Sequence, residues 1–225
     1  MKAMILAAGR GRRLRPLTDK LPKPLLPVAG KPLIYYHLDK LARAGVTEVV
    51  INCAWQAAKL RQLVGDGSAW QLKVHWSAEP EGGLETAGGI IQALPMLGPE
   101  PFWVVNGDIF TRYSFSRLPR QLSDSLAHLV LVPNPPQHQA GDFQLAAGGR
   151  VTRPEAGESL TFAGISTLSP QLFNGFEPGF RPLRPVLEQA IDQGKVQGEK
   201  FAGTWHDIGT PERWRALNQT QLVGL

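Results

Sequence analysis

Short apolar runs alternate with longer amphipathic ones through the first half of the chain. The run at 3–8, AMILAA, is uninterrupted and enters a glycine-rich segment, which predicts a buried strand followed by a loop. Residues 32–44, PLIYYHLDKLARA, read as a helix with proline in its first turn and Gly45 just past its end. A second strand is expected at 47–53, a helical stretch at 55–64, and a third strand at 72–77. A glycine-rich helix at 85–94 leads to a fourth strand at 102–106, which stops at Gly107-Asp108. This alternation predicts a mainly parallel sheet with right-handed crossovers. The second half is less regular: strands at 127–132, 143–145 and 159–168, then a helix at 185–193 closed by Gly194. A last helix opens at Thr210-Pro211-Glu212, with Thr as cap, Pro at the first position and an acid in the first turn. The pattern contains no repeat or linker, so one α/β domain over residues 1–225 is expected, its mixed sheet covered by helices on both faces.

Composition narrows the possibilities. The chain has 225 residues, 43% apolar and 19% charged, enough to bury a core and too apolar for wholesale disorder. The one cysteine, Cys53, excludes an intrachain disulfide and a thiolate zinc site, and reads as a small core residue. No apolar run approaches the length of a membrane span and no leader pattern opens the chain, so a cytoplasmic protein is expected. The formal charge is +5, but it is not spread evenly. Residues 1–31 hold Lys2, Arg10, Arg12, Arg13, Arg15, Lys20, Lys23 and Lys31 against Asp19 alone, a local +7, and the remaining residues sum to −2. A nucleic-acid binder needs a basic face backed by base-reading or stacking groups. The slightly acidic remainder and the scattered tryptophans offer neither, and a phosphate-bearing small molecule fits better.

The segment that carries this charge follows a predicted strand: Ala7-Ala8-Gly9-Arg10-Gly11-Arg12-Arg13-Leu14-Arg15-Pro16. Glycines let backbone N–H groups approach an anion, and guanidiniums give its oxygens forked donors. Leu14 occupies the sixth position of G-x-G-x-x-G, so this is not the dinucleotide fingerprint. No Gly-Lys-Ser/Thr follows, so it is not a Walker loop either. Next comes Lys23, braced by Pro22, Pro24 and Pro27, which stiffen the chain around one ammonium. Asp108 stands just past a strand, where open α/β sheets place their ligands.

Together these motifs resemble the sugar-1-phosphate nucleotidyltransferases. The resemblance runs from Met4-Ile5-Leu6-Ala7-Ala8-Gly9 and Arg13-Leu14 through Lys23-Pro24-Leu25-Leu26-Pro27-Val28 and Gly30-Lys31-Pro32. It continues at Val50-Ile51-Asn52, Glu85-Thr86-Ala87-Gly88-Gly89 and Val105-Asn106-Gly107-Asp108, and ends at Trp205-His206-Asp207-Ile208-Gly209-Thr210-Pro211. It implies a Rossmann-like mixed, mainly parallel sheet flanked by helices, the nucleotidyltransferase fold, with no C-terminal β-helix. The implied reaction is attack by a sugar-1-phosphate oxygen on the α-phosphorus of a nucleoside triphosphate, releasing pyrophosphate. In that reading Arg13 stabilises the leaving phosphates, assisted by Arg12 or Arg15. Lys23 bridges the α-phosphate and the sugar phosphate, and Asp108 and Asp207 hold Mg²⁺. The nucleotide lies against Ala7, Ala8, Gly9, Gly11 and the 79–88 stretch, with Gly83 and Gly88 as contacts. The sugar meets Asn106, Phe143, Glu158 and Gly164.

Within the family the chain is most similar to uridylyltransferases that take UTP and N-acetylmuramate 1-phosphate in bacterial cell-wall recycling. Mannose-1-phosphate guanylyltransferases and glucose-1-phosphate thymidylyltransferases are the nearest alternatives. One departure stands out: many relatives carry Glu-Lys-Pro in the region where this chain has Arg153-Pro154-Glu155-Ala156-Gly157-Glu158 and no lysine, so Arg153 or the N-terminal arginines are expected to take over part of the charge. A sensor that has lost catalysis would show damage at Arg13, Lys23, Asp108 or Asp207, and all four are intact.

Overall fold

Strand β1 (Lys2–Leu6) is apolar because both its faces are covered: Ala3, Met4 and Ile5 are fully buried. The computed structural model describes residues 1–155 and 157–219 and sets β1 inside a seven-stranded sheet. Beyond the glycine-rich loop, β2 (Pro27–Val28) and β3 (Lys31–Pro32) pair as a short ribbon. Helix α1 (Leu33–Arg43) then leads to β4 (Glu48–Cys53), and α2 (Ala57–Val64) to β5 (Lys73–Ala78). Helix α3 (Glu85–Leu97) leads to β6 (Phe102–Asn106). The second half contributes β7 (Ile109–Thr111), β8 (Ala127–Val132), β9 (Gln144–Leu145), β10 (Val151–Thr152) and β11 (Thr161–Leu168). It closes with α4 (Leu183–Asp192), β12 (Val196–Lys200), β13 (Trp205–Asp207) and α5 (Pro211–Gln219).

The main sheet runs β12-β8-β11-β6-β1-β4-β5, and only β11 is antiparallel to its neighbours. The mixed, mainly parallel sheet is therefore as expected. Alternate side chains feed two cores: Ala3 and Ile5 join Ile34, Leu38 and Leu41 of α1, whereas Met4 joins Ile90 of α3 and Leu187 of α4. Chain order reverses between β1 and β6, with β4 and β5 on one side of β1 and β6 on the other. The carboxyl ends of those two strands therefore diverge into a crevice. A third apolar cluster, with Leu14, Leu26, Phe110, Ile208 and Leu217, ties the N-terminal loops to β7, β13 and α5.

The departures have simple causes. Helix α4 begins two residues before 185, which puts Pro185 in the first turn where its missing N–H costs nothing. Helix α3 continues through Pro95 to Leu97. Strand β12, VQGEK, lies at the sheet edge with only Val196 and Gly198 buried, so no apolar run announces it. The strand expected at 143–145 is a ribbon with β10 outside the main sheet, and Phe143 bridges to Leu160.

Candidate active site

The loop after β1 is shaped by a left-handed Gly11, φ 66°, which opens a single 3-10 turn over Arg12–Leu14. The Thr18 hydroxyl donates to the Gly11 carbonyl at 2.8 Å, and Leu14 is fully buried, so the turn is pinned at both ends. The arginines then separate. Arg10 stacks on Trp55 at 4.0 Å and Arg15 pairs with Asp19 at 2.6 Å. Arg12 and Arg13 are exposed at the cleft and have no carboxylate partner among the described residues. The expectation that Arg15 assists at the phosphates is not matched by its position, because Asp19 holds it outside the cleft.

Lys23 is 9% exposed, an unusual place for an ammonium. The buried Leu25 and Leu26 anchor its 3-10 turn, and the ammonium is ion-paired to Asp108. Asp108 follows Gly107, whose N–H donates to the Leu6 carbonyl at 2.9 Å; a Cβ at 107 would sit 2.6 Å from that oxygen. Glycine is thus required for β6 to turn toward the end of β1. Asp207 arrives from the other end of the chain: β13 pairs with β7 so that Asp207 faces Ile109, and the Ile208 N–H donates to the Asp108 carbonyl at 3.0 Å. Each carboxylate has one oxygen engaged, Asp108 by Lys23 and Asp207 by Arg213 at 2.7 Å.

The opposite wall is a hydrogen-bonded clamp. Asn52, buried near the end of β4, accepts from the Ala7 N–H at 2.6 Å and donates to Glu79 at 2.6 Å. The other Glu79 oxygen accepts from the Leu84 N–H at 2.9 Å, so the 79–84 loop is tied to the end of β1. A side chain at Gly89 would collide with Glu79, which explains a glycine inside α3.

The result is a cleft of about 340 Å³, within the range of small-molecule sites. It brings together the expected Ala7, Ala8, Gly9, Gly11, Arg12, Arg13, Lys23, Gly83, Asn106 and Asp108. It also adds Asn52, and the expected 79–88 stretch reaches it through Glu79 and Thr86 as well. A buried asparagine in the apolar strand EVVINC was the signal for Asn52. Asp207 does not line this cleft, although Gly209, two residues on, does. Gly88 lies behind the wall, where a Cβ would strike the Gly179 carbonyl. Phe143 is a core residue, 2% exposed. Glu158 pairs with Lys200 at 2.8 Å on the surface, and Gly164 packs under the Asn106 side chain in a β-bulge. Arg153 does not replace the missing lysine: Asp192 grips it through two 2.7 Å bonds and Glu188 through one at 3.2 Å.

The nucleotidyl transferase family model matches residues 2–153, two thirds of the chain. The chain belongs to the nucleotidyl transferase family. It is 53% identical to the N-acetylmuramate alpha-1-phosphate uridylyltransferase of Neisseria meningitidis serogroup B, over 93% of this chain and 94% of that one. The enzyme of the same name from Caulobacter vibrioides is 34% identical over 93% and 92%. The crystal structure of HddC from Yersinia pseudotuberculosis superposes with a TM-score of 0.80 at 22% identity, covering 96% of this chain and 97% of that one. Among the described residues no helix is long and apolar enough to cross a membrane.

Proposed function

We propose that this chain, as one catalytic domain, transfers UMP from UTP to N-acetylmuramate 1-phosphate and releases pyrophosphate. The observation that carries the substrate choice is the 53% identity, across nearly the full length of both chains, to a uridylyltransferase of that name. The sugar phosphate is already ionised, so its oxygen attacks the α-phosphorus without a protein base. The bond to the β-phosphate breaks, and the electron pair leaves with pyrophosphate. Lys23, buried in the cleft, neutralises charge at the α-phosphate. Arg12 and Arg13, exposed in the cleft with no carboxylate partner among the described residues, hold the departing phosphates. The Asn52–Glu79 clamp holds the backbone at Ala7 and Leu84 still for the base.

The donor set fits Mg²⁺. Among the described residues Asp108 and Asp207 each keep one carboxylate oxygen free of a protein partner, and no group of three or more metal-ligating side chains is found. Asp108 lines the cleft and Asp207 sits just beyond its lining, and hard carboxylate oxygens suit a cation that takes one or two carboxylates and completes its shell with phosphates and water. When bound there, the ion supplies charge neutralisation at the α-phosphate.

The test is pyrophosphate release with Mg²⁺ across five nucleoside triphosphates and several sugar 1-phosphates. Highest kcat/KM is expected for UTP with N-acetylmuramate 1-phosphate. A preference for dTTP with glucose 1-phosphate or GTP with mannose 1-phosphate would overturn the substrate choice. Inactivity throughout would overturn catalysis itself.

A further inference from the structure

A second pocket, of about 390 Å³, begins where the reaction cleft ends: Asp207 lines it, and Gly209, two residues on, lines the cleft. Strands β6 and β8 both run antiparallel to β11, so their carboxyl ends share one edge of the sheet. The cleft opens past β6. The second pocket opens past β8, between Pro133 and Pro136 on one side and Trp205 and α5 on the other. Arg213, Ala216 and Leu217, spaced i, i+3 and i+4, put one face of α5 toward it. Its walls are mainly apolar, and among the described residues Asp207 is the one acid and Arg213 the one arginine or lysine in the lining.

The Arg213 guanidinium is held in a fixed orientation. Its Nη1 donates to Asp207 at 2.7 Å. A Cβ at Gly209 would strike its Nη2, so the group rests directly on backbone that lines the cleft. Nε and Nη2 make no hydrogen bond among the described residues, so the fork is aimed by Asp207 and still has donors to give. With Phe143 in the core and Glu158 paired on the surface, neither is placed to receive a sugar. The pocket beside Asp207 is.

We infer that this pocket receives the sugar of the acceptor, and that Arg213 selects an acceptor bearing a carboxylate. The inference rests on the acceptor proposed above: N-acetylmuramate carries a carboxylate on its lactyl ether, whereas glucose, mannose and N-acetylglucosamine carry none. A guanidinium meets a carboxylate with paired, charge-assisted hydrogen bonds. Trp205 and the prolines offer apolar surface to the C–H groups of the sugar and to its methyls. The 1-phosphate then lies on the cleft side of Gly209, near Lys23 and Asp108, and the lactyl group on the other.

The test compares N-acetylmuramate 1-phosphate with N-acetylglucosamine 1-phosphate, the same sugar without the lactyl acid, in pyrophosphate release from UTP with Mg²⁺. The parent protein should favour the first. Arg213→Gln should lower kcat/KM for the muramate about tenfold more than for the glucosamine, chiefly through KM. Any disturbance of Asp207 acts on both acceptors and divides out of that ratio. Arg213→Lys, which keeps the charge and loses the fork, should restore part of the preference. Ala216→Phe, on an exposed position of α5, should raise the KM for either sugar phosphate and leave the KM for UTP unmoved. A parent preference that survives Arg213→Gln, or acceptor KM values indifferent to Ala216→Phe, would overturn this inference and leave the proposed reaction standing. A parent without preference for the muramate would overturn the substrate choice and this inference together.

Discussion

The two halves of the chain reach the cleft by different routes. Through residue 108 the chemistry sits at the carboxyl ends of parallel strands: the loop after β1, Asn52 near the end of β4, Glu79 just past β5 and Asp108 just past β6. Beyond 108 the support is indirect. Asp207 is delivered by the β7–β13 pair, Gly164 packs beneath Asn106, and Phe143 fills the core. The lesson is that a position at a strand end carries chemistry, whereas the later segments mostly hold the earlier ones in place.

That contrast can be broken at several points. Phe143→Ala should cost about 3–5 kcal/mol in urea denaturation while leaving the KM for the sugar phosphate unmoved. A raised KM at full stability would move Phe143 back into the sugar pocket. Lys23→Ala should lower pyrophosphate release by about 10²–10³-fold with a thermal midpoint close to the parent's. Equal losses of activity and stability would make Lys23 a structural residue.

His37 is fully buried in α1, and burial, with the Lys40 charge nearby, pushes it down to about 4. The unfolded chain binds a proton there below about pH 6.5, and the folded protein does not until near 4. Its contribution is therefore intact above pH 6.5 and drains away as pH falls toward 4, on the order of 3 kcal/mol. His37→Leu should flatten the urea midpoint across that window, and an unaltered slope would show that other groups set it.

Gly89→Ala should cost about 1–3 kcal/mol, because the new methyl must displace Glu79 from Asn52. A raised KM for UTP is expected alongside the shift in urea midpoint. The smallest effect is expected at Glu158→Gln: stability within about 0.5 kcal/mol and an unchanged KM, since the residue is exposed and its partner is a surface lysine.

Much of this was legible in the chain. An unbroken apolar run marks a strand buried on both faces, and glycine or proline marks each place where the backbone must turn, so β1, β4, β6, α1 and the loops between them could be read. Strand β12 could not, because a polar edge strand has no local signature. Nor could the fates of the arginines. Of the eight cations in residues 1–31, Arg12, Arg13 and Lys23 line the cleft; Arg10 lies on Trp55, Arg15 on Asp19, Lys2 on Glu48 and Lys31 on Asp39, and Lys20 is exposed. Gly88 is an expected nucleotide contact in the sequence, and Gly89 stands beside it in the same glycine-rich segment. In the structure each makes room for one specific neighbour.

By itself, the sequence determined the α/β alternation, the glycine and proline punctuation of the two N-terminal loops, and a local charge of +7 suited to phosphates. These are properties of residues a few positions apart, set by backbone sterics and side-chain period. Only the tertiary structure decided which cations stay unpaired, that Asn52 and Glu79 lock the cleft wall, and that Asp207 is held beside the strand following Asp108. Those outcomes depend on contacts between residues far apart in the chain, and Coulomb and packing forces act on distance in space, which spacing in sequence does not record.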